Sequence, residues 1–249
     1  MQIIPLWATL AAFRGPGEFI VKSLASLVLA AALLAAVSVD TTAEAQDQTN
    51  RAYLGIRAIG SIASLGDTTT RGFGGPTLVE NDSDQVAGPA VVGGWIFKNF
   101  PLRMEIEGGN RYRFDYDVRD LAGGGTIDYE IDVRTWQLLL NTIFEWRNSS
   151  SFTPMIGATV GWARQHIDIQ RTNLATQAQI TPDNDTDNIA WGGLLGVNWA
   201  FAQNWSADLM YRYINLGDVE SGVIPGTGER IEAEDYVSHD VLISVNYHF

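Results

Sequence analysis

Apolar and polar residues alternate with a period of two along most of this chain, and the alternation is cleanest at its end. From Tyr236 to Phe249, the residues Val241, Ile243, Val245, Tyr247 and Phe249 fall on one side, with Asp240, Leu242, Ser244, Asn246 and His248 between them. Such spacing predicts a strand with one apolar and one largely polar face. Seven earlier stretches read the same way. The first, about Arg51 to Ala63, sets Ala52, Leu54, Ile56, Ala58 and Ile62 against Tyr53, Gly55, Arg57 and Ser61. The second, about Val86 to Lys98, sets Val91, Trp95 and Phe97 against Ala90 and Gly94, with Pro89 interrupting its donors near the start.

The third strand decides which face meets what. Uninterrupted alternation from Leu102 puts Leu102, Met104, Ile106, Gly108, Tyr112, Phe114 and Tyr116 on one face and Arg103, Glu105, Glu107, Arg111, Arg113 and Asp115 on the other. An Arg or Lys facing lipid at the bilayer midplane costs ~2–4 kcal/mol, so in a membrane the charged face must line a lumen. The fourth strand, ending near Arg147, then turns Trp136, Leu138, Leu140, Phe144 and Trp146 outward and Gln137, Asn141 and Glu145 inward. The fifth turns out Phe152, Ile156, Ala158, Val160 and Trp162, with Thr153, Gly157, Thr159 and Gly161 inside and Arg164 just beyond the aromatics. The sixth turns out Ile189, Trp191, Leu195, Val197, Trp199 and Phe201; the seventh turns out Trp205, Ala207, Leu209, Tyr211 and Tyr213 over inward Ser206, Asp208 and Arg212.

Connections between these eight strands alternate in length. Asn99 to Pro101, Asn148 to Ser151 and Gln203-Asn204 are short; Leu65 to Gln85, Asp120 to Asp128, Arg171 to Asp187 and Gly217 to Asp235 are long and polar. The expected fold is all-β: an eight-stranded antiparallel transmembrane β-barrel with short periplasmic turns and four long extracellular loops. Aromatics support it. Trp95, Phe97, Phe144, Trp146, Phe152, Trp199, Phe201, Trp205, Tyr247 and Phe249 flank the short turns, while Tyr112, Phe114, Trp136, Trp162, Trp191, Tyr211 and Tyr213 lie toward the long loops. Two interfacial girdles have this distribution.

The chain has 249 residues, no Cys and a formal net charge of −13. A disulfide scaffold is excluded, and an acidic chain with only two lysines, Lys22 and Lys98, offers no basic patch for nucleic acid. Lys22, the apolar run Leu24 to Val39 and Ala43-Glu44-Ala45 read as a signal peptide. The run is shorter than the ~20 residues a spanning helix needs. Residues 1–45 are therefore expected to be a targeting segment, with 1–20 upstream of the true start, and 46–249 the barrel domain.

Leu102-Arg103-Met104-Glu105-Ile106-Glu107, Met210 to Gly217 and Ser238-His239-Asp240, with a last strand ending Tyr247-His248-Phe249, resemble the opacity-protein and OmpA-like group of eight-stranded outer-membrane barrels, also called porin-family β-barrel proteins. The resemblance implies a Gram-negative outer-membrane location, contact with outer-membrane lipids and lipopolysaccharide, and recognition of the terminal strand at Phe249 by the barrel-assembly machinery. It also implies a structural and surface-interaction role, in envelope integrity, adhesion or as an immunogenic surface protein.

An eight-stranded barrel is just wide enough for side chains to fill. Inward Arg57, Arg103, Glu105, Glu107, Arg111, Glu145, Asp208 and Arg212 carry both signs, which favours a salt-bridged plug over an ion-selective ring. A narrow passage for small solutes is the alternative. No catalytic, cofactor or metal residues are expected: Ser238 and His239 fall on opposite faces, and His166 and His248 lie at opposite ends of their strands. Asp183 to Asp187 begins like a calcium loop but has Asn188 where glycine is needed, and reads as a solvated acidic loop. Function beyond structure is expected in the loops, whose acids (Asp67, Glu80, Asp82, Asp84; Asp183, Asp185, Asp187; Glu220, Glu229, Glu232, Glu234, Asp235) could hold divalent cations that also bridge lipopolysaccharide, or could meet a host or environmental partner.

Overall fold

The computed structural model describes residues 51–73, 77–80, 83–120 and 127–249. The targeting segment expected over residues 1–45 lies outside the described residues, as do Asp82 and most of the loop after Asp120. Eight antiparallel strands form the barrel: β1 Arg51–Ser64, β2 Ser83–Ile96, β3 Leu102–Asp120, β4 Ile127–Glu145, β5 Phe152–Asn173, β6 Asp183–Ala202, β7 Trp205–Asn215 and β8 Val237–His248. Each pairs with the next in the chain, and β8 closes on β1 from Tyr53 opposite His248 to Ser64 opposite Val237. The three short turns fall where the alternation places them.

The strands are unequal, and this shapes the molecule. β3 and β4 have 19 residues, β5 has 22 and β6 has 20, whereas β7 has 11 and β8 has 12. A membrane-crossing strand needs about 9–11 residues. β3 to β6 therefore rise above the bilayer as a four-stranded wall. The expected long loops are correspondingly shorter: the stretch from Arg171 to Asp187 is largely strand, including the short Ala178–Ile180 paired with β5.

Along the wall the sidedness of polarity reverses. Within the membrane span of β4, Trp136, Leu138 and Leu140 face outward and Gln137 and Asn141 inward; above Thr135, Arg134, Asp132 and Glu130 lie on the outward face, and Val133, Ile131 and Tyr129 are buried inside. β5 repeats this, with outward Trp162 followed by Arg164, His166 and Asp168 over buried Ala163, Ile167 and Ile169. Lipid below and water above explain the reversal, because the apolar side must face hydrocarbon in one zone and the protein core in the other.

β3 reaches the same result differently, and here the uninterrupted alternation fails. A β-bulge between Arg111 and Phe114, opposite Thr135 and Val133, adds one residue. An extra residue flips every later side chain to the other face. Phe114 and Tyr116 are therefore buried, at 0% and 2% exposure, and are not part of the outer girdle; Arg113 and Asp115 are outside, not in the lumen.

Candidate functional site

Two regions can carry function: the lumen and the extracellular head. At membrane level the lumen is filled by side chains from all eight strands. Arg57, Arg103, Arg111 and Arg212 meet Glu105, Glu107, Asp208 and Asp240, and all eight side chains have no exposed surface. Arg103 reaches Asp208 at 2.6 Å and also pairs with Glu105. Arg57 bridges Glu107 at 2.5 Å and Glu105 at 3.1 Å; Arg212 bridges Glu107 at 3.0 Å and Asp240 at 2.9 Å; Arg111 holds Asp240 at 2.6 Å. Four positive and four negative groups cancel.

Amides and hydroxyls extend the network. Gln137 accepts from Arg111 at 3.0 Å and donates to Glu107 at 2.8 Å; Asn198 and Asn246 donate to Asp208 at 2.7 and 2.8 Å; Ser61 and Ser238 donate to Asp240 at 2.7 Å each. Buried charges need this degree of pairing. All eight lumenal residues singled out from sequence are inside. Glu145 sits at the periplasmic rim, 3.9 Å from Arg103 and 3.3 Å from Arg147. Asp240 is the member that reading did not count, although its place on the polar face of β8 was the signal.

Above the ions the interior turns apolar. Phe114, Tyr116, Val118, Tyr129, Ile131, Val133, Ile167, Ile169 and Tyr236 form one buried cluster with Leu65, Val219, Ile224, Ile231 and Ala233. The last five come from the connections after β1 and β7, which fold over the outer mouth. Thr68–Arg71, Arg230–Ala233 and Val219–Glu220 make a small three-stranded sheet, with Arg230–Ala233 in the middle. The lumen is thus closed twice, by ion pairs below and by an apolar layer above.

The outer surface of the wall is acidic and ordered. Asp115 stands opposite Asp132, Asp132 opposite Asp168, and Asp168 opposite Asp183, a row of carboxylates across four strands. The stretch Asp183 to Asp187 is therefore not a loop but the top of β6. Its acids pair across the sheet, Asp187 with Arg164 at 2.8 Å and Asp185 with His166 at 2.7 Å, because alternate residues of a strand share a face. Among the described residues no group of three His, Asp or Glu is placed to hold a metal ion. Arg113 donates its Nε–H to Asp115 at 2.5 Å and leaves Asp132 a charge contact at 2.6 Å. Partial burial and the neighbouring Asp115 push the Asp132 carboxyl up to about 7.

That shift makes a pH prediction. A carboxyl whose folded value lies above the unfolded ~3.9 holds its proton more tightly when folded. Its contribution to stability is therefore most favourable below about 4 and is lost as pH rises through about 7. Asp132→Asn is expected to stabilise the head at pH 8 relative to the parent and to make no difference at pH 4, measured by urea unfolding at the two pH values. His166, raised by its hydrogen bond to Asp185, titrates in the same direction and remains in both proteins.

The histidine and serine candidates separate as the strand faces dictate. Ser238 is buried in the lumen and His239 is exposed outside, donating or accepting with Tyr211 at 2.6 Å. An unanticipated pair is Ser206 and His248, 2.8 Å apart just inside the periplasmic end, at 0% and 2% exposure. β7 and β8 are consecutive antiparallel strands with Ser206 opposite Asn246, which sets His248 next along the same inward face.

Comparison with known proteins agrees with this geometry. PagN, an outer membrane protein of Salmonella typhimurium, is 27% identical over 188 residues, which covers 71% of this chain and 78% of PagN. OprG, an outer membrane protein of Pseudomonas aeruginosa, superposes with a TM-score of 0.54 at 16% identity, over 81% of this chain and 98% of OprG. Neisserial surface protein A gives 0.49 at 16% identity over 80% and 97%. At that identity OprG is a likeness of fold alone. The family described as the outer membrane protein beta-barrel domain matches residues 29–249, nearly the whole chain, and this protein belongs to it, as a β-barrel of the Gram-negative outer membrane.

Proposed function

We propose that this barrel works at its outer surface, as a structural and surface-interaction protein of the outer membrane, and not as a conduit. The doubly closed lumen carries the reading. A neutral ion layer in which every charge faces an opposite one has no ring of one sign to select an ion, and the apolar layer above it offers no hydrated route. What remains for contact is the wall, a folded head whose outward face bears the carboxylate row. By charge it suits a partner carrying cationic groups, whether on a host or an environmental surface, and disfavours polyanions.

A non-catalytic role is supported by the sealing of Ser206 and His248 from any substrate and by the opposite facing of Ser238 and His239. The outward apolar belt supports contact with outer-membrane lipids and lipopolysaccharide, and assembly through the strand ending at Phe249 is part of the same proposal. The test is paired. Purified protein in planar bilayers is expected to give no discrete openings, and cells displaying it to bind a cationic-peptide surface less when Asp115, Asp132, Asp168 and Asp183 are all changed to Asn. Reproducible openings that change with Arg103→Met would instead establish the narrow passage.

A further inference from the structure

The small sheet over the outer mouth differs from the rest of the molecule in how it is attached. Internally it is held by backbone: Val219 pairs with Ala233, Glu220 with Glu232, Arg230 to Ala233 with Arg71 to Thr68, and the Gly66 N–H donates to Glu234 O at 2.9 Å. Toward β3–β6 it is held by side chains. Asn188 donates to Asp218 O at 2.8 Å, Asn184 to Glu220 O at 2.7 Å, and Glu229 accepts from Tyr129 at 2.6 Å and from Arg171 at 3.2 Å. Among the described residues, the backbone pairing of the connections after β1 and β7 to the wall is that of Thr77–Glu80, beyond the small sheet, with Asp117–Asp120 of β3; it tethers one end of the sheet and leaves its three strands unladdered to the wall.

Its return to β8 is built for a turn of the chain. Gly217 and Asp235, at the two ends of the excursion after β7, both have left-handed backbones, with φ of 84° and 52°, and the Tyr236 N–H donates to Gly217 O at 2.8 Å. A side chain at Gly217 would meet Asn188 Cβ at 2.5 Å, so glycine is required there for contact as well as conformation. A backbone ladder gives way only as a whole, whereas a seam of separate side-chain contacts yields locally; cooperative units of a protein divide along such seams.

We propose that this small sheet is a lid: residues 66–73 and 217–235 lift from the wall as one unit while the membrane barrel beneath stays closed. The open form presents the inner face of the wall, including Tyr129, Ile131 and Ile167, at the cell surface. The closed form hides these residues under Ile224, Ile231 and Ala233. Glu229, buried between Tyr129 and Arg171, is the principal catch. This goes beyond the surface-interaction reading and holds or fails independently of it, since it concerns the head's own motion.

The absence of cysteine makes the motion measurable. Single reporters are placed at Ala233→Cys under the lid, Ala163→Cys on the wall beneath it, and Ala90→Cys in the buried lumen at membrane level. Maleimide labelling of the folded protein in lipid vesicles is expected to proceed at matching rates for the first two and about tenfold slower for the third, because local opening outruns global opening. Adding Glu229→Gln should speed the first two together and leave the third unchanged. Equal rates at all three sites, or labelling of Ala233→Cys without Ala163→Cys, would overturn the proposal. Hydrogen exchange on the unmodified chain gives the same decision without any substitution: amides of Val219 and Ile231 to Ala233 should exchange as a group, faster than those of β8, and protection equal to β8 would count against a lid.

Discussion

Arg103→Met is expected to lower the unfolding free energy by about 3–5 kcal/mol, the cost of removing one partner from a buried charge cluster and leaving an uncompensated charge, here on Asp208. Arg103 serves Asp208 through two nitrogens, at 3.2 and 2.6 Å, and also Glu105 and the Tyr53 hydroxyl. Without it buried Asp208 loses its guanidinium partner and keeps only the amides of Asn198 and Asn246, while Glu105 keeps Arg57 as its one guanidinium. The paired change Arg103→Met with Asp208→Leu restores the charge balance and is expected to recover most of the loss, since well-packed apolar replacements of buried ion pairs are often neutral. Urea titration in lipid vesicles, followed by tryptophan fluorescence, reads both. A single-variant loss of only about 1 kcal/mol, the value for an exposed pair, would mean the lumen is hydrated and would reopen the case for a passage.

Phe114→Ala should cost about 3–5 kcal/mol, as deletion of a fully buried aromatic does, whereas Arg113→Ala next to it should cost about 1 kcal/mol or less, as loss of exposed pairs does. Uninterrupted alternation along β3 ranks the two the other way, with Arg113 in the lumen and Phe114 in the outer girdle. The same urea titration therefore tests the bulge directly. A milder effect for Phe114→Ala than for Arg113→Ala would place the extra residue elsewhere.

The strand count, the closure order and the outward faces below the bulge follow from period two, because in the membrane zone each face meets one medium. The bulge itself had an indirect signal. β4 changes parity on its own between Arg134 and Trp136, its apolar residues passing from Trp136 and Leu138 outside to Val133 and Ile131 inside. β3 keeps apolar residues on even numbers throughout, from Met104 to Val118, so its change of face had to come from backbone geometry. The ions of the lumen could be named from sequence, but not their pairing. Arg111 and Asp240 are 129 residues apart, and only closure of β8 on β1 and β7 brings them together. The lid escaped because strands of two to four residues are too short to show a period.

On β3–β6 the outer face is apolar in the bilayer and polar above it. A barrel with an apolar exterior throughout could slide along the bilayer normal at little cost. Here an upward or downward shift of a single row would push Arg134, Arg164 and Asp187 toward acyl chains or lift Leu138 and Ile189 into water. The vertical setting of the protein is thus pinned by its own side chains, and a bilayer of the wrong thickness must stretch or thin around it. This chain imposes its own hydrophobic thickness on the lipid that surrounds it.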